Sequence, residues 1–163
     1  MLIDLTWQYN LMTKRRVDDL IQSVNLPKDY IGIHIRQGDK VKEFKAFNYF
    51  EYIERAESLS KIRKAFILTD DYTVINKLRI KFRKWDFFTL CGEDEKGYSH
   101  NEFSKKNLGF KDEKLVRLFS SIDILNNSKL FMGTFSSNPG MYLGMRRPKE
   151  TCSGLDFNSW TLL

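Results

Sequence analysis

His34, Arg36, Asp39 and Lys40 lie close together in the run Tyr30-Ile31-Gly32-Ile33-His34-Ile35-Arg36-Gln37-Gly38-Asp39-Lys40, directly after an apolar alternation. Isoleucine at every second position favours a strand, and Gly32 leaves room for close backbone approach. A strand projects His34 and Arg36, two residues apart, from the same face at its end. A guanidinium there offers a planar fork matched to phosphate, and an imidazole can hydrogen-bond a base, a sugar hydroxyl or a phosphate. The same residues also suit an ordinary strand end with Gly-Asp as its turn.

Two further polar clusters follow apolar runs. Asp70-Asp71 comes after Ala65-Phe66-Ile67-Leu68-Thr69, a pattern of a strand buried on both sides. Neighbouring residues on an extended chain point to opposite faces, which makes a metal clamp by both carboxylates awkward. Asp71 is therefore read as an N-cap of the next helix and Asp70 as facing a cleft. Ser136-Ser137-Asn138-Pro139 reads as a strand-to-helix turn, with Asn138 as N-cap and Pro139 at the first helical position. Free backbone N–H groups, the helix dipole and two hydroxyls make an anion site there, although a plain structural cap would use the same residues. His100 stands alone in a loop and is read as facing solvent. Neither the dinucleotide nor the P-loop glycine pattern occurs, and Cys91 and Cys152 have no metal-ligand spacing.

The elements that must position these clusters follow from periodicity. Val17, Leu20, Ile21 and Val24 mark an amphipathic helix with Thr13 as N-cap, closed by Asn25-Leu26-Pro27. Phe50, Ile53 and Ala56 mark a helix over residues 47–60 with Tyr49 and Tyr52 on its flanks, and Val74, Leu78 and Phe82 mark a basic one. Residues 85–90 are aromatic and predict a third strand. Residues 91–108 have no period and predict a long loop, of the kind that is usually functional. A long helix over residues 111–128 leads to a fourth strand, Leu130 to Gly133, and the tail 151–163 reads as a packing segment. Strands alternating with helices imply an α/β fold, a Rossmann-like parallel sheet flanked by helices. All three polar clusters fall beyond carboxyl ends of strands, where open α/β sheets bind ligands.

The 163 residues fit one domain, 1–163, and 42% apolar with 29% charged residues is the composition of a soluble globular protein. A net charge of +6 and a pI near 9.3 favour an anionic partner. The basic residues, including Arg146-Arg147, are spread over expected helices as solvated faces rather than a nucleic-acid groove, and the aromatics occupy core-type positions. Neither a membrane-spanning run nor a signal peptide is visible, so the default compartment is cytoplasmic.

Together, His34-Ile35-Arg36-Gln37-Gly38-Asp39-Lys40-Val41, Leu68-Thr69-Asp70-Asp71 and Gly133-Thr134-Phe135-Ser136-Ser137-Asn138 resemble the motifs of the donor-binding half of the α1,6-fucosyltransferases, of the core and Nod-factor type, over residues 30–147. The resemblance implies one half of a GT-B fold, GDP-L-fucose as donor, inverting transfer to a glycan acceptor, and no metal or other cofactor. It makes Arg36 the ligand of the β-phosphate, puts His34 near the guanine, and assigns Asp39, Lys40, Asp70 and Asp71 to the sugar and catalytic side. It gives the pyrophosphate to Ser136, Ser137 and Asn138. Turnover would need a facing half or a homodimer to hold the acceptor.

Departures from the family pattern accompany these matches. Gln37 stands where a second Arg is usual. The proposed catalytic base aligns to Phe44, with Glu43 one residue early, and a guanine-reading Asp aligns to Ser121, with Asp123 two residues later. Gly38 fits the H-x-R-x-G-D form of the α1,2-fucosyltransferases. A domain that binds nucleotide sugar without turnover is the alternative from another class.

Overall fold

The structure is a computed structural model and describes residues 6–36 and 47–157. Asp39, Lys40 and Glu43, like Gln37, Gly38 and Phe44, lie outside the described residues.

The described elements run α1 (Leu11–Ser23), β1 (Ile31–Ile35), α2 (Tyr49–Leu59), β2 (Lys64–Thr69), α3 (Tyr72–Lys81), β3 (Asp86–Phe88), α4 (His100–Ser104), α5 (Leu108–Asn127), β4 (Leu130–Gly133), α6 (Asn138–Arg146), a 3-10 turn (Lys149–Thr151) and β5 (Cys152–Gly154). The five strands form one sheet in the order β3-β2-β1-β4-β5, every pairing parallel. This is the α/β, Rossmann-like architecture that the alternation of elements predicts. The fifth strand is a correction, because the tail was read only as packing. Cys152, Ser153 and Gly154 align with Phe131, Met132 and Gly133, and a three-residue strand carries too little pattern to be seen.

Helices cover both faces. Ile31, Ile33 and Ile35 of β1 pack with Tyr52, Ile53 and Ala56 of α2 and Val74, Ile75 and Leu78 of α3. On the other face Phe66 and Phe131 meet Ile122, Ile124 and Leu125 of α5 and Leu143 of α6. Gly32 faces α5, where an added Cβ would lie 2.8 Å from Ser128 Oγ and 2.9 Å from Leu125 Cδ2. Only a bare backbone lets the helix sit this close.

Helix ends differ from expectation in informative ways. Asn10, not Thr13, caps α1, its side chain accepting from Thr13 N at 2.9 Å. Asn48 closes a reciprocal capping box with Glu51 on α2. Tyr52 lies in the core at 4% exposure rather than on a flank. The third strand shrinks to Asp86–Phe88, since it lies at the sheet edge with a single partner. The stretch 91–108 contains α4, and α5 begins at Leu108.

Arg147 is the sharpest exception to the solvated basic faces. It is 8% exposed, and its guanidinium donates to Leu125 O (2.8 Å), Ser128 O (2.7 Å), Asn126 O and Thr151 O (3.4 Å). The last carbonyls of an α-helix have no intrahelical donor, and here a side chain from beyond α6 supplies it. Burial lowers the Arg147 pKa from its ordinary value. Arg147→Met, which keeps bulk and removes the donors, is expected to destabilise the fold by roughly 2–4 kcal/mol, measured as a lower urea midpoint at unchanged slope.

Candidate functional site at the sheet switch point

The chain leaves β1 through α2 on one face of the sheet and leaves β4 through α6 on the other, while β1 and β4 are neighbours. Their carboxyl ends therefore flank the point where the winding reverses, the place at which open parallel sheets form a binding crevice. His34 and Arg36 come from β1 and the residue after it, and residues 134–137 form the turn from β4 into α6.

His34 and Ser137, each 6% exposed, meet across this point, Nδ1 to Oγ at 3.3 Å. The Ser137 hydroxyl has one proton and donates it to Thr134 O at 2.7 Å, while Gly140 N donates to the same Oγ at 3.2 Å. Ser137 must then accept from His34, which assigns the proton of the neutral ring to Nδ1 and leaves Nε2 as an acceptor. Burial is the main reason the His34 pKa falls to about 4. Asp70 opposes the fall and Arg36 adds to it, which places both within electrostatic reach of the imidazole.

The α6 cap is Ser137, not Asn138, which is the first helical residue, and Pro139 follows within the first turn. The physical reason is at Gly140, where a Cβ would be 1.9 Å from Thr134 O. Bare Gly140 lets the helix lie close on its own entry turn, where Gly140 N reaches the Ser137 hydroxyl and makes Ser137 the cap. The expected anion site is also partly filled from within the chain. Phe135 N and Ser136 N both donate, at 2.8 Å, to the carboxylate of Asp156.

Asp71 is the N-cap of α3, accepting from Thr73 N at 2.8 Å, as the sequence predicts. Asp70 accepts Tyr98 N on Oδ2 (3.0 Å) and Gly97 N on its carbonyl (2.7 Å), while Tyr72 N donates to Glu95 O (2.9 Å). These bonds strap residues 95–98 against the end of β2, with Gly97 at φ 103° making the turn. Glu95 anchors the strap at its other end, accepting Gly92 N (2.6 Å) and Arg117 (2.7 Å) and pairing with Lys114 (2.8 Å). The strap sets the Tyr98 ring 5.5 Å from the Arg36 guanidinium, a cation–π contact that orients the side chain. Tyr98 and Glu95 escaped the sequence reading because the loop has no period, although the Gly97-Tyr98 turn was a visible signal. His100 begins the short α4 and is exposed, with Nδ1 3.4 Å from Tyr98 Oη.

Asp123 is not part of this assembly. Trp7 Nε1 and Tyr9 Oη each donate to it at 3.0 Å, and Arg146, the last residue of α6, is 3.4 Å away. That cluster joins α5 to the chain before α1, leaving its carboxylate committed to packing. Ser121, the alternative position, is buried and donates to Arg117 O at 2.8 Å. The structure thus links His34 with Ser137, Asp70 and Arg36, leaves Asp71, Ser136 and Asn138 as their neighbours in the chain, and pairs Asp123 instead with Trp7, Tyr9 and Arg146.

A parallel five-stranded sheet with helices on both faces and polar residues gathered at its switch point defines a Rossmann-like α/β domain. Over residues 1–140 the chain matches the family described as alpha-(1,6)-fucosyltransferase N- and catalytic domains, and it belongs to that family. Solved structures agree on the fold. NodZ α-1,6-fucosyltransferase soaked with GDP-fucose aligns with a TM-score of 0.58 at 16% identity, covering 93% of this chain and 46% of that one. The same enzyme co-crystallised with GDP gives 0.55 at 16% identity, covering 85% and 42%. Fucosyltransferase NodZ from Bradyrhizobium gives 0.56 at 16% identity, covering 85% and 43%. The chain thus spans less than half the length of these structures. No curated protein sequence matches it.

The buried neutral His34 makes a prediction about pH. Its pKa, near 6.5 in the unfolded chain and about 4 when folded, means the unfolded state binds more protons between these values. Stability is expected to be unaffected by this group above pH 6.5, and to fall by about 3 kcal/mol as pH drops from 6.5 to 4. His34→Gln should flatten that part of the urea-stability profile. A wild-type imidazole that titrates near 6.5 by NMR would contradict it.

Proposed function

We propose that this chain is the donor-binding part of an α1,6-fucosyltransferase, taking GDP-L-fucose for inverting, metal-independent transfer to a glycan acceptor. The observation that carries the reading is the junction of His34 with Ser137 between adjacent strands at the switch point, with Arg36 set beside it by Tyr98. Arg36 takes the β-phosphate and stabilises the charge that grows on GDP as the sugar departs. His34, with Nε2 free of the Nδ1 proton, suits the N–H donors of guanine. Ser136 and Asn138 serve the pyrophosphate at the start of α6, with Ser137 capping the helix between them. By the motif resemblance, Asp39, Lys40 and Glu43 serve the sugar and catalytic side. Family membership and likeness to structures of NodZ with GDP and GDP-fucose support this reading. Binding without turnover is a second reading, favoured by Gln37 and Phe44 in place of the family's Arg and Glu.

The test is calorimetry with GDP. Binding is expected, and Arg36→Ala should weaken it by roughly 1.5–3 kcal/mol, the worth of charge-assisted hydrogen bonds to phosphate. Equal affinity in a folded Arg36→Ala protein would remove the central residue of the proposal.

Metal independence rests on what the carboxylates already do: Asp71 caps a helix and Asp70 holds the strap. The measured GDP affinity is expected to be the same with magnesium as with excess chelator. A tenfold loss on chelation would place a divalent ion in the site.

A further inference from the structure

We propose that Asp156 is a positioning residue for the pyrophosphate site: its carboxylate sets the backbone of the turn that presents Ser136, Ser137 and Asn138 to the donor. The inference rests on the GDP-binding reading above. Asp156 lies beyond the 140 residues that match the family, in a tail whose pattern predicts only packing.

The contact is a two-point one. Asp156 Oδ1 accepts Phe135 N and Oδ2 accepts Ser136 N, both at 2.8 Å, so one planar group holds two consecutive amides of the turn. Successive amides aimed at one anion form a concave nest whose shape depends on that anion, and a charged acceptor makes each bond stronger than a neutral one would. The negative charge also lies at the positive end of the α6 dipole. The rest of the turn depends on the same few residues. Ser137 N donates to Thr134 O at 3.2 Å, and the Tyr52 hydroxyl lies within electrostatic reach of Asp156.

Asp156 could instead be a plug that phosphate displaces, but its delivery argues against that. β5 is hydrogen-bonded to β4 throughout, and the next residue, Leu155, donates its N–H to Gly133 O at 3.0 Å. Gly154 presses on the Phe135 ring so closely that a Cβ would be 2.7 Å from Cδ2. Phe157 N adds a third donor to Oδ1 at 3.0 Å. The ladder fixes the backbone at Asp156 close beside the turn, so the fifth strand serves as the arm that holds the brace. With Phe135 N and Ser136 N committed, the turn offers phosphate the Asn138 amide and the Ser136 and Asn138 side chains.

The experiment compares wild type with Asp156→Asn, which keeps the shape but turns one acceptor into a donor facing an amide proton. GDP and guanosine are titrated against both, with amide spectra of Phe135 and Ser136 recorded throughout. GDP affinity is expected to fall about 10- to 100-fold in the variant, with guanosine affinity changed less than about twofold, because the loss is confined to the phosphates. A global packing defect would lower both. In the wild type alone, saturation with GDP should leave the two amide protons in their downfield, carboxylate-bonded positions, a readout that stands even if the variant does not fold. Equal or tighter GDP binding by Asp156→Asn, or amide signals that leave those positions when GDP binds, overturns the positioning role. Failure of wild type to bind GDP at all is a different result: it overturns the donor reading and this role with it.

Discussion

The close seating of helices on both faces of β1 is the constraint on which the rest of the structure depends. All five residues of that strand are buried, with β2 on one side and β4 on the other, so its only polar outlet is its carboxyl end. Ile31, Ile33 and Ile35 are fully buried on one face, each contributing on the order of 2 kcal/mol by removal of apolar surface. On the opposite face Gly32 admits α5, and above it His34 occupies the space that α6 leaves. A strand so enclosed cannot shift register without pushing His34 into the apolar core or Ile33 toward Ser137. The same enclosure fixes the imidazole where it meets the cap of α6.

Around this strand, loops that would otherwise be free are tied by main-chain groups. Residues 95–98 bond the end of β2 through Asp70, and the turn after β4 is bonded to Asp156. Both attachments set a carboxylate from one segment against amides of another, a charge-assisted contact that survives partial exposure better than a surface ion pair would. Tyr98, which lies against Arg36, and Ser136 are thereby held by braced backbone. Preorganisation of this kind lowers the entropy lost when a flexible, highly charged ligand is bound.

Charge is distributed with the same economy. The surplus of basic residues lies mostly on exposed helix faces such as that of α3, whereas Arg147 is withdrawn against the last carbonyls of α5 and Arg146 against Asp123. A helix C-terminus packed beneath a sheet cannot rely on water for its carbonyls, and a guanidinium is long and multiply donating enough to serve several at once.

What the sequence determined by itself is local. Apolar runs bounded by turn residues located four strands, Asp71 declared a helix start, and the placement of His34, Arg36, Asp70 and Ser137 after those runs marked the sheet edge where a ligand belongs. The motifs in order also identified the family. Only the tertiary structure decided what depends on distance in space between residues far apart in the chain. It put Tyr98 on Arg36, brought Asp156 to Phe135 and Ser136, drew Arg147 into α5, and moved Asp123 out of the site into a cluster with Trp7 and Tyr9. The cap of α6 fell at Ser137 because its hydroxyl takes Gly140 N where the helix packs on its entry turn, which spacing alone does not encode. Periodicity reports which face of an element is buried; which partner covers it is set by the order of strands and the hand of their crossovers, and a three-residue strand such as β5 exists only because β4 is there to pair with it.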